Sequence, residues 1–478
     1  MEEALKKLQQ SGCEYADIRV VNTWSEGIRV KNGAVEGITA DFDAGFGVRV
    51  LYKGAWGFAS SNKFSARSLE ATAKKALDIA KASSLTVARE NRARLSKLEP
   101  QIGRYKNRFE IDPFDVPLDR KIEMLIEATD ILRKDKKVVV ASGNMRFWRQ
   151  MKIFASTEGS YIEQEIVQSG GGIVAIAQGD DDVQTRSYPA SHGGDFASRG
   201  FEFIEEMELA KNAERTREEV IELLKAPPCP SGKKDLILYG DQLALQVHES
   251  CGHPTELDRV LGTEISLAGG SFLQLSEFRK LRYGSPIVNI TADATIEGGL
   301  GSFGYDDEGV PAQRTYLVKD GLFCGYLTSR ETARVLRQRS NGTMRAESWN
   351  KIPLIRMTNI NLEPQSGTLD DLIADTRDGL MFAANRSWSI DDLRLNFQFG
   401  CEIGYIIKRG RIVGICKNPN YTGITPKFWN SCDAICGREE WRVWGVPNCG
   451  KGEPMQIARV GHGTSHARFR KVEVGVKG

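Results

Sequence analysis

The stretch "LALQVHESCGHPTELD", Leu243 to Asp258, sets two imidazoles and a carboxylate close together as His248, Glu249 and His253. Neutral imidazole is the commonest protein ligand for transition metals. The nearest known pattern, H-E-x-x-H, holds zinc because histidines four apart share one face of a helix. Here one residue is added. At about 100° per residue, His248 and His253 would point roughly 140° apart on a regular helix, whereas Glu249 and His253 share a side. A shared ion therefore requires the helix to change near its end.

The flanking residues supply means for such a change. Gly252 tolerates backbone angles that other residues resist, and Pro254 disfavours helical geometry at His253. A widened last turn, a feature found mostly at functional sites, or an end that curls back would bring both rings to one ion. Upstream, "DLILYGDQ" reads as a strand, a turn and a helix start with Asp241 as N-cap. Leu243, Val247 and Cys251 form the buried stripe; Ala244, His248 and Gly252 form the neighbouring one.

Zinc sites need a third protein ligand. The candidates are Cys251, Glu256, Asp258, Cys449, His462 and His466. Cys251 lies on the apolar stripe and is expected in the core. "CDAIC" (Cys432, Cys436) lacks a matching second pair. "GHGTSH", with His462 and His466, reads as a loop. Cys449 sits in "GVPNCGKGEP", a glycine- and proline-rich stretch that reads as an exposed turn, and so is the better candidate.

The 65 basic residues nearly cancel the 63 acidic ones. A net charge of +2 gives no electrostatic case for nucleic acid. The N-terminus "MEEALKKLQQSG" lacks the basic-then-apolar character of a secretory signal, and no stretch approaches the apolar length of a membrane span. Nine cysteines scattered from Cys13 to Cys449 do not resemble a disulfide framework, so a reducing cytoplasm is expected.

With 478 residues, more than one domain is expected. "KAPPCPSGKK", Lys225 to Lys234, concentrates three prolines and marks the boundary. The expected division is 1–225, a linker over 226–234, and 235–478. The first part reads as helices over Met1–Gln10, Ala66–Ala82, Asp119–Lys134 and Phe201–Lys225 with antiparallel strands. Asn32-Gly33 and Lys53-Gly54 are hairpin turns. From Val138 four short strands are expected. The last part reads as β-rich, an antiparallel sheet curling toward a barrel, with hairpins at Asp320-Gly321 and Arg409-Gly410. The fold class is α+β, the β-rich domain carrying the histidine helix.

Several blocks in order, "HESCGHPTELD", "GSFGYDDEGVPAQRTYLVKDGLFCGYLTSRETA", "RAESWNKIPLIRMTN" and "NCGKGEPMQIARVGHG", resemble the TldD branch of the TldD/PmbA family. The N-terminal "YADIRVVN" and "GFGVRVLYKGAWGFASSNKFS" resemble its first domain. The resemblance implies a zinc metallopeptidase with the HExxxH motif. His248, His253 and Cys449 match the Zn2+ ligands, and Glu249 matches the catalytic carboxylate that activates the zinc-bound water. It also implies a dimer, either a homodimer or a heterodimer with a PmbA/TldE-type subunit, acting on extended or unfolded peptides. Two other readings stand beside it: a zinc-stabilised assembly or binding subunit that does not cut, and a metallohydrolase of a non-peptide amide. The run Asp306-Asp307-Glu308 is either support for a histidine or a solvated turn. Arg356 and Asn359 either hold a peptide backbone or end a strand.

Overall fold

The computed structural model describes residues 1–266 and 269–475. The N-terminal half rests on an eight-stranded sheet. Its main path runs Ala55–Ser61, Ala34–Tyr52, Tyr15–Lys31, Val138–Ser156, Tyr161–Gln178, Ile102–Lys106. All pairings are antiparallel except the last, which is parallel. At Asn32-Gly33 and Lys53-Gly54 both residues have positive φ, the turn whose twist matches that of the paired strands. The helix Ala66–Ser83 buries Ala73, Ala76, Leu77 and Ala80 against Ile18, Val48 and Val50. Leu118–Leu132 and Leu209–Lys225 form a second core with Ile28, Val30, Phe147 and Ile173.

The strands are longer than expected. Val138–Ser156 and Tyr161–Gln178 are each continuous where four short strands are predicted. The glycine run that reads as a break, Gly170 to Gly172, lies inside the second strand. There it makes room: a Cβ at Gly170 would lie 2.0 Å from the Phe196 ring, and one at Gly172 would lie 2.6 Å from Gly194 Cα. The strand Asp195–Ala197 thus lies close along the sheet. The predicted helix Phe201–Lys225 is broken instead, with Glu208 at φ 46° between Glu202–Glu206 and Leu209–Lys225.

In the C-terminal half, Gly232–Leu238, Ala467–Val474, Asn420–Ile424, Asn396–Lys408 and Asp378–Ile390 close into a five-stranded barrel. The chain is α+β, as expected. One pairing departs from an all-antiparallel sheet: Gly232–Leu238 runs parallel to Asp378–Ile390. Parallel neighbours need a long crossover, and the histidine helix lies within it. The barrel is filled with aromatic rings, Phe428 and Phe469 stacking at 4.0 Å between centroids. Asp320-Gly321 and Arg409-Gly410 are both positive-φ pairs. Among the described residues no helix is long and apolar enough to cross a membrane.

The run Asp306-Asp307-Glu308 is neither a solvated turn nor support for a histidine. All three residues are buried; Asp307 and Glu308 fasten the two halves together, while Asp306 accepts from the N–H groups of Glu308, Val310 and Met344 in its own half. Asp307 meets Lys152 at 2.6 Å. Glu308 meets Arg49 at 3.3 Å, and Arg49 also pairs with Asp17 at 2.7 Å. Burial, and then the neighbouring Glu308 charge, pushes the Asp306 carboxyl up to about 8. Removing one partner of a buried pair leaves the other charge uncompensated, at a cost of about 3–5 kcal/mol. Arg49→Met is therefore expected to lower stability by roughly that amount, read from the urea midpoint; an unchanged midpoint would refute the fastening role.

Candidate metal centre

The strand Gly232–Leu238 leads into the helix Gly240–Val247. Asp241 is not its N-cap. It lies in the first turn, where its carboxylate accepts from the N–H groups of Gln242 (2.6 Å) and Ala384 (3.1 Å) and ties the helix to the barrel. The Gly240 N–H donates to His466 Nδ1 at 3.1 Å. At His248 the helix widens into a π turn through Gly252, with the His253 N–H donating to the His248 carbonyl. A tight turn over His253–Thr255 follows. Pro254, lacking an N–H, sits in its first positions, where none is needed.

The widened turn is the expected one, but its causes differ. Gly252 stays at the edge of the right-handed region, φ −73° and ψ −72°, and adopts no left-handed angle that only glycine would favour. Its importance is space: a Cβ would lie 2.0 Å from Met357 Sδ. His253 is helical too, at φ −56° and ψ −44°, despite Pro254. What holds the turn open is a buried polar network around Ser250 and the carbonyls of Ser250, Cys251 and Gly252. Trp429 Nε1 donates to Ser250 Oγ at 2.9 Å, and the Tyr283 hydroxyl donates to the Ser250 carbonyl. Thr255 Oγ1 reaches the carbonyls of Cys251 (2.9 Å) and Gly252 (2.8 Å).

This turn brings His248 and His253 to 4.8 Å between ring centroids. Their ligand atoms and Cys449 Sγ all lie within 4.8 Å of one another. Cys449 is not in an exposed turn. It belongs to the strand Arg442–Lys451, pairs with Ala458, and is 4% exposed. Its partner strand is Gln456–Thr464, and the register slips between Val446 and Cys449, at Pro447-Asn448. Cys449 Sγ lies 3.7 Å from His253 Nε2. Tetrahedral zinc with ordinary bond lengths places nitrogen and sulfur ligands about 3.5 Å apart, so the donor set fits that ion.

The second ring nitrogens are engaged as at metal sites. His253 Nδ1 meets Glu256 Oε2 at 3.1 Å, and His248 Nδ1 meets His462 Nε2 at 2.7 Å. His462 is not in a loop. It lies fully buried in the strand Gln456–Thr464, between two glycines. A Cβ at Gly461 would lie 2.2 Å from Asn359 Oδ1, and one at Gly463 would lie 1.9 Å from the Trp441 ring. Burial holds His248, His253 and His462 below the usual histidine range, His462 furthest. All three are neutral at pH 7, the state that binds metal. Burial raises Cys449, but the nearby His253 and the Arg356 guanidinium outweigh it and hold the thiol below its ordinary value.

The remaining candidates have other tasks. Burial pushes the Cys251 thiol up to about 12, inside the core. Asp258 receives Lys451 Nζ at 2.8 Å, and Glu256 receives it at 3.4 Å. Cys432 and Cys436 are buried. Arg356 donates to the carbonyls of Cys449 and Gln456, and Asn359 to Asp293 and Ser302. Both are buried in the fold, so neither faces a peptide.

The cluster opens into a cleft of about 310 Å³ between the two halves. Ser191, His192 and Asp195 line it from the N-terminal half, and Trp388, Arg394 and Asn448 from the other. Glu249 faces the same cleft, where its Oε2 lies 2.5 Å from Arg394 Nη1. His192 and Arg394 carry no signal in the sequence: one is a lone loop histidine, the other a hairpin residue far along the chain.

Family models described as the PmbA/TldA metallopeptidase domain 1, central domain and C-terminal domain match residues 16–80, 111–224 and 231–476. A metalloprotease of Methanocaldococcus jannaschii is 34% identical, over 95% of this chain and 96% of its own length. A zinc metalloprotease TldD homolog of Saccharolobus solfataricus is 22% identical, over 98% of each chain. Among solved structures, a Thermotoga maritima protein described as a modulator of a DNA gyrase superposes with a TM-score of 0.77 at 18% identity, covering 99% of each chain. TldE from Thermococcus kodakarensis superposes at 0.72 and 15% identity over the full length of both. With the N-terminal sheet, the barrel and the histidine turn all falling inside the matched spans, the chain belongs to the PmbA/TldD metallopeptidase family.

Proposed function

We propose that this chain is a zinc-dependent peptidase that hydrolyses extended peptides, with His248, His253 and Cys449 as metal ligands and Glu249 as the catalytic carboxylate. The observation that carries this reading is the convergence of those three side chains beside a cleft that Glu249 also faces. A zinc ion held by three protein ligands keeps a position open and supplies Lewis acidity, drawing the pKa of water toward about 7. The name of the Saccharolobus relative agrees with that ion.

The protein side of the chemistry follows from the geometry. With Nδ1 of each ring engaged, by His462 behind His248 and by Glu256 behind His253, Nε2 would be the atom each ring offers to a metal, and Nδ1 would carry the proton. The Glu256 carboxyl is held well below its usual range: desolvation opposes ionisation, and Lys451, the hydrogen bond from His253 and Arg259 outweigh it. Glu249 takes the proton of the attacking water and passes it to the leaving amine.

The strand Arg442–Lys451 pairs only with Gln456–Thr464 among the described residues, and its stretch Val446 to Gly450 lines the cleft. A peptide laid along it as an added strand would be held through main-chain bonds, with little sequence choice. The working state is a dimer, with a second copy or with a TldE-type subunit, in the reducing cytoplasm where nine unpaired thiols persist.

Glu249→Gln is expected to keep stoichiometric zinc and lose about 10²–10⁴-fold in kcat on an unfolded peptide. Cys449→Ala loses both zinc and cleavage. Metal analysis beside a peptide assay, with and without chelator, checks the pair. Zinc binding without cleavage by the wild type would instead favour a structural ion.

His462→Phe removes the acceptor behind His248 and is expected to weaken zinc binding about 10–100-fold. A competition titration against a chromophoric chelator reads this directly; wild-type affinity in the variant would remove His462 from the centre.

A further inference from the structure

Arg394 stands at the tip of the hairpin joining Asp378–Ile390 to Asn396–Lys408, with φ 64°. Its backbone is fixed. The Arg394 N–H donates to the Asp391 carbonyl at 2.9 Å, and Thr425 Oγ1 donates to the Arg394 carbonyl at 2.9 Å. Asp391 also accepts from the N–H groups of Leu395 and Asn396. From this anchored turn the side chain reaches into the cleft and meets Glu249, both groups largely buried.

That pairing is incomplete on one side and obstructive on the other. Guanidinium carries five donors in a fork suited to two carboxylate oxygens, yet Arg394 Nε is buried without a partner among the described residues. Among the described residues Arg394 is also the sole lysine or arginine lining the cleft. The other acids there are already satisfied. Asp195 accepts from the N–H groups of Phe196 and Gly445 and from Arg442; Asp241 accepts from Gln242 and Ala384. Among the described residues the one carboxylate holding Arg394 is thus Glu249, through Oε2, so the guanidinium ties down one of the two oxygens that could accept a proton from water.

We propose that Arg394 is a subsite for a carboxylate of the substrate, which displaces Glu249 from the guanidinium and frees it for the reaction. A carboxylate bound across Arg394 would fill its unused donors in the bidentate geometry that arginine favours. The carboxylate is either the free C-terminus of a peptide or an acidic side chain near the cut. This assignment rests on the peptidase reading for its catalytic consequence but not for the binding itself.

The test uses the full chain and one peptide in three forms: free C-terminal acid, C-terminal amide, and the amide carrying an internal glutamate. Binding is measured calorimetrically on zinc-free protein, so that neither turnover nor the metal contributes. Cleavage is measured on zinc-loaded protein. Wild type is expected to bind one of the two carboxylate forms at least about tenfold more tightly than the plain amide. The form preferred, acid or internal glutamate, identifies the source. Arg394→Gln is expected to bring that form down to the level of the amide, and Arg394→Lys to retain part of the difference. Equal binding of all three forms by wild type, or a preference that Arg394→Gln keeps, overturns the subsite. Absence of cleavage with the binding preference intact would defeat the peptidase reading and leave the subsite standing.

Discussion

The hydrogen bond from the His253 N–H to the His248 carbonyl, five residues back, determines where the site's chemistry lies. In a regular helix the extra residue between the histidines would turn their rings apart. One wide turn brings them onto the same side, at the cost of disturbing the helix's own pairing. An unsatisfied buried polar group costs about 1–3 kcal/mol. Such a turn persists only where the surroundings provide partners: Tyr283 and Thr255 donate to its carbonyls, and Trp429 holds the Ser250 hydroxyl. Trp429 and Tyr283 belong to the same large core as the barrel aromatics. The barrel is therefore what makes the turn tenable, beyond being a platform for it.

The other contributions reach the site over long sequence distances. A two-stranded ribbon delivers both Cys449 and His462, and Arg356 fixes it by donating to the carbonyls of Cys449 and Gln456. Lys451, on the same ribbon, links it to Glu256 and Asp258 beside the histidine turn. The N-terminal half closes the cleft from the other side, its loop through His192 and Asp195 lying close over the glycines of the long strand Tyr161–Gln178. The buried pairs around Asp307 and Glu308 hold that half in register with the barrel.

Local features of the fold were legible in the sequence because they depend on local physics. Each hairpin dipeptide is a turn with positive φ at both residues, and the alanine-rich stretch from Ala66 is a helix. Cys251 was placeable in the core because a four-residue spacing reports burial. Gly252 was recognisable as special, but for the wrong reason, since a sequence cannot show that Met357 will pack against it. Cys449 was legible as a candidate although its setting was misread: glycine and proline suggest a turn, while here they accommodate a register slip and a ribbon packed tightly against its neighbours. His462, a candidate ligand whose surroundings read as a loop, lies instead in a buried strand for a related reason. Glycines on either side of it look like loop composition, yet they let the strand approach Asn359 and Trp441 and turn the imidazole inward. Arg394 was beyond reach, because its importance exists only through contact with Glu249.

The peptidase reading requires His248, His253 and Cys449 to share one ion. Zinc-edge X-ray absorption on the full chain loaded with one equivalent of zinc tests this most directly. The expected first shell holds one sulfur at about 2.3 Å and two imidazole nitrogens at about 2.0–2.1 Å, completed by a light-atom ligand. A first shell containing no sulfur, or one holding several, would contradict it.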